Sequence, residues 1–233
     1  MRILVFGANG FVGSSIANDL ESRHEVWRGI RGVSDESRTL SVDLLDLTAV
    51  SMAIASSMPD VIINAAGAVD NTEASELNLT FTQNILGAIA LSGLSVAPKL
   101  IICGSAAEYG YVDTANIPVA EECPTEPFSI YGKNKLKESE YALNFGKDNN
   151  IDVVIARIFN PIGAGMAEKF LIPRLLDQIY ALEVDSGMVE ISRKDSIRDY
   201  IDVRDLAVAI GLLSEGKTKH HVYNIGSGIG TTN

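Results

Sequence analysis

The sequence predicts an α/β chain built on a doubly wound parallel sheet covered by helices on both faces. Short β-branched runs at 2–6, 25–30, 39–42, 60–64 and 99–103 alternate with longer stretches of helical character, and a strand comes first. The connections between them are short, which favours parallel pairing through right-handed crossovers. A hydrophobic content of 46% with 21% charged residues is ordinary for a globular chain with a sizeable core. The length of 233 residues allows one large domain or one and a half.

The first strand, Arg2 to Phe6, is apolar and β-branched, as a central strand buried on both faces requires. It breaks at Gly7, Gly10 and Gly13, and an amphipathic stretch follows through Ile16 and Leu20. A strand that ends in spaced glycines and opens a helix is a phosphate cradle. Gly7 permits the tight turn, Gly10 lets the backbone approach a pyrophosphate, and Gly13 lets the helix pack on the strand. The helix start adds free N–H groups and a positive dipole end. The spacing is GxxGxxG rather than GxGxxG, so position carries the argument: between a clear strand and a clear helix, it points to a dinucleotide and a Rossmann-type sheet.

Glu25 to Ile30 is the second strand, and Arg31-Gly32 follows it. A chain that binds NAD usually places an acid there for the ribose 2′-hydroxyl. Here the place holds Arg31, with Arg28 just before it, and an arginine suits a 2′-phosphate. The cofactor expected is therefore NADP(H), with NAD as the alternative because Asp35 and Glu36 lie close by. The third strand, Thr39 to Val42, runs into Asp43-Leu-Leu-Asp46. The fourth, Asp60 to Asn64, ends in Ala65-Ala66-Gly67, where small residues leave room for a ligand along the backbone.

Leu77 to Pro98 carries no charge, yet Asn78, Thr80, Thr82, Gln83 and Asn84 interrupt it, so it reads as a buried helix and not a membrane span. Strand five, Lys99 to Cys103, leads into Gly104-Ser105-Ala-Ala-Glu-Tyr-Gly110. Prolines at 124 and 127 and Ser129 then open a helix on which Tyr131 and Lys135, four apart, share one face. A lysine ammonium beside a phenol stabilises the phenolate, which a tyrosine needs to exchange protons near neutral pH.

Composition narrows the partners. A net charge of −11 argues against a nucleic-acid surface, while leaving room for a phosphorylated ligand held by local arginines. Cys103 and Cys123 make no disulfide framework, which suits a reducing, cytoplasmic setting. His24, His220 and His221 show no ligand spacing with them, so no metal is expected. No secretory leader is recognisable after Met1.

Taken together, these residues resemble the extended short-chain dehydrogenase/reductases that act on nucleotide sugars. The likeness runs through Gly7-x-x-Gly10-x-x-Gly13, Ser105 with Tyr109-Gly110, and Tyr131-x-x-x-Lys135. It continues in Arg157-Ile-Phe-Asn160-Pro-Ile-Gly163, in Arg198 to Asp205, and in Tyr223-Asn-Ile-Gly-Ser-Gly228. Within that family the chain looks most like the GDP-4-keto-6-deoxymannose reductases. The resemblance implies that Tyr131 is the general acid/base, that Lys135 bonds the nicotinamide ribose, and that Ser105 bonds the sugar oxygen undergoing redox. It places Asp43 near the adenine, Ala65, Ala66 and Gly67 along the cofactor, and Asn160 and Arg198 on the substrate's diphosphate. Arginine geometry suits that last role.

Two departures shape the expected function. Dehydratases of the family carry acids directly after the catalytic hydroxyl; here those places hold Ala106 and Ala107, with Glu108 displaced from them. The chain also stops at Asn233, where family members continue. Residues 1–158 are accordingly expected to form the NAD(P)-binding domain, and 159–233 a small, C-terminally truncated nucleotide-sugar lobe interleaved with the sheet. The leading expectation is an NADPH-dependent 4-ketoreductase of a nucleoside-diphosphate 4-keto-6-deoxyhexose. The alternatives are an NAD-dependent 4-epimerase, a dehydratase and a non-catalytic NADP-binding sensor. The neutral helix around Leu77 to Leu94 is expected to leave an apolar face that pairs, with the Tyr131 helix, in a homodimer.

Overall fold

The computed structural model describes residues 1–69, 72–113, 116–182, 187–191 and 194–232; Asn233, where the chain stops, lies outside them. The first half alternates strand and helix except that β3 follows β2 directly: β1 (Arg2–Phe6), α1 (Phe11–Glu21), β2 (Glu25–Ile30), β3 (Thr39–Ser41), α2 (Leu47–Ser57) and β4 (Val61–Asn64). A 3₁₀ turn (Glu73–Glu76) leads into α3 (Leu77–Leu91), followed by β5 (Lys99–Ser105), a second 3₁₀ turn (Ala106–Glu108) and α4 (Ile130–Asn149). The remainder comprises β6 (Val153–Ile158), β7 (Asn160–Ile162), α5 (Leu171–Tyr180), β8 (Ile197–Asp202), α6 (Val203–Glu215), β9 (Val222–Ile225) and β10 (Gly230–Thr232).

Seven strands form one sheet in the order β3-β2-β1-β4-β5-β6-β9, and every recorded pairing in it is parallel. The chain winds outward from β1 to β3, then returns to β4 on the other side of β1. That reversal opens a crevice at the C-terminal ends of β1 and β4, the place where such sheets take ligands.

Alternation along the central strands builds the two faces of the core. Ile3 and Val5 of β1 pack with Ile16, Ala17 and Leu20 of α1 and Leu206 and Ile210 of α6. Leu4 and Phe6 face the other way, onto Val50 and Ile54 of α2, Ile85 and Ile89 of α3, and Ala142 of α4. Local signals set the helix ends. Asp46 caps α2 and Asp202 caps α6 through their carboxylates, and Ser129 accepts the Gly132 N–H at 3.0 Å to start α4. Asn150, at φ 53°, ends α4 in the left-handed conformation that asparagine tolerates.

The segment after residue 158 is shared between two sheets. α6 joins α1 on one face, and β9 extends the main sheet beside β6. β7, β8 and β10 form a separate three-stranded sheet, with β7 parallel and β10 antiparallel to β8. α5, outside the main layers, has no fully buried residue.

The neutral helix is covered on most sides, as its lack of charge predicts. α2 and α4 flank α3, and Phe81 packs against the core beneath them. Its buried stripe includes Asn78 and Thr82 beside Ile85, Leu86 and Ile89, and what remains exposed is led by Gln83, Ala90 and Leu91.

Candidate active site

The glycine turn is set by crowding. Gly7 sits at φ +76°, and a Cβ there would lie 2.7 Å from the Ala66 amide nitrogen. A Cβ on Gly13 would overlap the Gly7 carbonyl, so α1 approaches β1 closely at a point only glycine allows. The Gly10 N–H donates to the Gly7 oxygen at 2.9 Å and closes the turn. Gly10 is the N-cap of α1 but has no side chain to cap with, and the first turn carries no acid. Its leading amides are thus left to an anion, as a pyrophosphate requires. The chain beyond β4 is fixed alongside: Asn64 Oδ1 accepts the Ala66 N–H at 3.2 Å, and Asn78 exchanges two hydrogen bonds with the Ala68 backbone. Ala65 and Ala66 are half-buried and Gly67 is exposed on this rim. These features fit a dinucleotide.

The two arginines at β2 separate. Arg28 is tied to α1, its Nε 2.9 Å from Glu21 Oε1 and its Nη2 2.7 Å from Asn18 Oδ1. Its side chain points to the α1 face of the strand, as does that of Val26, and it is committed there. Arg31 is exposed at the strand's end. Asp43 is exposed too, its carboxylate accepting the Leu45 N–H at 2.9 Å in a turn of its own.

Ser105 ends β5 and caps the turn that follows. Its Oγ accepts the Ala107 N–H at 3.1 Å, which leaves its own hydrogen available to donate. Its N–H donates at 2.9 Å to Glu108 Oε1, and this closes a capping box. Glu108 is fully buried. It also accepts Ser139 Oγ at 3.1 Å and pairs with Arg157 Nε at 2.9 Å. Arg157 lies over the Tyr109 ring, 4.6 Å from its centroid, and Tyr109 donates to Asn224 Oδ1 at 2.7 Å. Burial pushes the Glu108 carboxyl above its ordinary range, and the Ser105 N–H and Arg157 oppose that shift. Glu108 is therefore a structural carboxylate, locked away from any ligand.

α4 comes down directly on this turn. A Cβ on Gly132 would overlap the Ala107 carbonyl, so Tyr131 starts its helix against the Ser105 segment. Lys135 lies one turn on, almost fully buried, with its Nζ donating to the Cys103 carbonyl at 2.8 Å and to Glu138 Oε2 at 2.5 Å. Burial opposes its charge, but Glu138, Tyr131 and Glu108 together hold it above the ordinary lysine value. The neighbouring Cys103 thiol is pushed up to about 12 by burial and stays protonated. Ser105, Tyr131 and Lys135 thus gather at the C-terminal edge of β5, one strand from the crevice.

Asn160 and Arg198 lie apart from these, in the small sheet. Asn160 Nδ2 donates to the Asp199 carbonyl at 2.8 Å, and Arg198 is exposed with Nη1 on the Ile197 carbonyl. Asp199 itself anchors the turn after β9, accepting from Ser227 N, Ser227 Oγ and Gly228 N at 2.7–2.8 Å. Among the described residues no cluster of three or more His, Cys, Asp or Glu could hold a metal, and no helix is long and apolar enough to cross a membrane.

Sequence reasoning missed four members of the site's support. Glu138 follows Lys135 by three residues, a helical spacing that was readable. Thr82 lies four residues beyond Asn78, on the apolar side of α3. Glu108 and Arg157 are 49 residues apart, and neither signals the other.

A parallel nucleotide-binding sheet with a serine, tyrosine and lysine at its C-terminal edge defines a dinucleotide-dependent oxidoreductase fold. The family profile described as the NAD dependent epimerase/dehydratase family matches residues 3–226, and the chain belongs to that family. GDP-6-deoxy-D-mannose reductase of Pseudomonas aeruginosa is 31% identical over 97% of this chain and 75% of that enzyme. The UDP-glucose 4-epimerase of Mycoplasma genitalium is 28% identical over 100% of this chain and 78% of its own length. Among solved structures, RMD from Pseudomonas aeruginosa complexed with NADPH matches with a TM-score of 0.82 at 28% identity, covering 100% of this chain and 80% of that one. Thermus thermophilus UDP-glucose 4-epimerase in complex with NAD matches with a TM-score of 0.83 at 26% identity, covering 100% and 79%.

The buried ion pair should carry stability. Removing one partner of such a pair strands the other's charge, so Glu108→Ala is expected to lose about 3–5 kcal/mol in urea unfolding. The paired change Glu108→Leu with Arg157→Met should lose much less. Equal losses for the single and paired variants would contradict the pairing.

Proposed function

We propose that the chain is an NADPH-dependent 4-ketoreductase of a nucleoside-diphosphate-linked 4-keto-6-deoxyhexose. The observation that carries this reading is the pairing of a complete Ser105–Tyr131–Lys135 set with alanines at 106 and 107 and a Glu108 locked onto Arg157. No acid in that turn is free to remove a proton from the sugar, so elimination is disfavoured and hydride chemistry remains. The likeness to GDP-6-deoxy-D-mannose reductase supports the same choice.

The residues divide the work. The first turn of α1 holds the cofactor's pyrophosphate, Ala65, Ala66 and Gly67 lie along it, and Asp43 stands at the adenine end. Arg31 meets the 2′-phosphate; Arg28, tied to Glu21, helps only by shaping the strand. The dinucleotide, when bound, supplies a hydride to the sugar's C4. Ser105 donates its hydroxyl hydrogen to the C4 oxygen and orients it. Tyr131 gives that oxygen a proton as negative charge develops on it, and Lys135 stabilises the tyrosinate left behind. Asn160 and Arg198, on the sheet of β7, β8 and β10, hold the diphosphate at the base of a nucleotide-sugar lobe. The main-sheet unit is residues 1–158, with α6 and β9 added from beyond.

A 4-epimerase is the second reading, favoured by the commitment of Arg28 to α1, which leaves Arg31 as the sole candidate of the pair for a 2′-phosphate. Mass spectrometry of nucleotide carried through purification separates the two: retained NAD points to an epimerase, and empty or NADP-loaded protein to a reductase. The reductase reading expects NADPH to bind more tightly than NADH. Arg31→Ala should remove the preference, at about 1.5–3 kcal/mol for a charge-assisted contact. Tyr131→Phe should keep NADPH affinity and lose turnover on a 4-keto sugar. Equal affinities in the wild type, or a Tyr131→Phe protein that still turns over, would sink it.

The chain acts as a cytoplasmic homodimer in this reading. Both cysteines are free, which suits a reducing compartment. The neutral outer stripe of α3, with Gln83, Ala90 and Leu91 exposed, would meet its copy beside α4. Light scattering at low micromolar concentration should give twice the chain mass, and Gln83→Glu should shift it toward the monomer. A wild-type monomer would rule the dimer out. Phe81 is unsuitable for that test, because it packs on the core.

A further inference from the structure

We propose that Glu138 is a positioning residue, the buried counter-ion that keeps Lys135 cationic and aims its one remaining N–H into the site. The proposal deepens the function proposed above and rests on its assignment of Lys135.

Hydrogen counting comes first. A lysine ammonium has three N–H donors. In Lys135 one is directed to the Cys103 carbonyl and one to Glu138 Oε2, so one is left for the cofactor ribose or for Tyr131. If the ribose takes it, Tyr131 is served by the lysine's charge and not by a direct bond. Lys135 must then stay charged for the tyrosine to work.

Charge counting points to Glu138 as the group that ensures this. The groups facing Lys135 are Glu138 and Tyr131 from α4, Glu108 from the turn after β5, and the Cys103 thiol on β5. Glu108 is already matched by Arg157 at 2.9 Å. Cys103 is held protonated by its burial. Glu138 is the carboxylate that remains, with no exposed side-chain surface against 5% for Lys135.

Glu138 is itself fixed from behind. Thr82 Oγ1 of α3 donates to its Oε1 at 2.6 Å, and Asn64 Nδ2 at the end of β4 donates to Thr82 Oγ1 at 3.2 Å. The Oδ1 of the same Asn64 accepts the Ala66 N–H. A continuous buried chain therefore runs from the rim proposed to carry the cofactor, through Asn64, Thr82 and Glu138, to Lys135. A packing residue would need no such chain, and an unpaired carboxylate would not tolerate the burial.

The test is the pH dependence of folding stability in Glu138→Gln. In the wild type Lys135 is held above its ordinary value of 10.5, so its contribution is fully present below that pH and lost only as pH rises through the higher folded value. Without Glu138 the largest counterweight to burial is gone, so the folded value drops toward or below the unfolded one. The variant's deficit should then be greatest near neutral pH and shrink as pH rises through its lowered folded value, where the folded lysine loses its proton while the unfolded one still holds it. A deficit constant with pH would make Glu138 a packing residue and overturn the proposal. If Glu138→Gln does not fold, Lys135→Met with Glu138→Gln decides. Recovery of a folded protein supports the pairing, and failure to recover overturns it.

A second readout follows the cofactor. NADPH affinity, read by nicotinamide fluorescence, should be flat in the wild type between about pH 7 and 9.5 and weaken about tenfold over that span in Glu138→Gln. Parallel profiles would contradict the proposal. Wild-type protein that binds no dinucleotide would instead refute the proposed function, while the stability measurement still decides Glu138.

Discussion

One of the tight constraints among the described residues is the backbone crossing at Gly7. There the end of β1, the first turn of α1 and the chain leaving β4 meet with no space for a Cβ at Gly7 or Gly13. Hydrophobic burial drives β1 into the middle of the sheet, but it is this contact that sets how near α1 stands. An alanine at position 13 would gain roughly 1 kcal/mol of helix propensity, yet it would press a methyl into a backbone carbonyl, typically a loss of about 1–3 kcal/mol or more. Sterics wins, and the uncapped helix start is held beside the crevice where an anion would lie.

The opposite wall of the site is built from buried charge. Two fully buried carboxylates, Glu108 and Glu138, are matched one to one by Arg157 and Lys135. Buried pairs of this kind add little net stability relative to apolar packing, but breaking one is severe, so they specify geometry. Glu108 fixes the backbone of Ser105, and Glu138 holds the ammonium of Lys135. The positions of the Ser105 backbone and the Lys135 ammonium thus depend on two carboxylates that are themselves fully buried.

Much of this was legible in the sequence because it is local. The strands follow from β-branched runs, the crowded turn from three glycines between a strand and a helix, and the shared helix of Tyr131 and Lys135 from their spacing. Ser129 as the start of α4 was equally readable. What was hidden depends on contacts made across the fold. Arg28 was expected at a phosphate, but the β2 pleat turns it toward Glu21 on α1. Asn78 and Thr82 looked like breaks in an apolar helix, whereas the structure uses them inside it, against Ala68 and Glu138. The absence of charge on α3 read both as a buried helix and as one face left for a partner. Its cause is largely internal, since α2, α4 and the sheet enclose most of the helix.

The central claim is that Ser105, Tyr131 and Lys135 form a working hydride-transfer centre directed at a sugar's C4. The most direct measurement is to supply NADPH deuterated at the transferring position of its nicotinamide together with a nucleoside-diphosphate 4-keto-6-deoxyhexose, and to locate the label in the product by NMR. The account predicts one deuterium at C4 of a 6-deoxyhexose, with no deuterium at C5 or C6. Unconsumed NADPH with unchanged sugar, or label at any carbon other than C4, would contradict it.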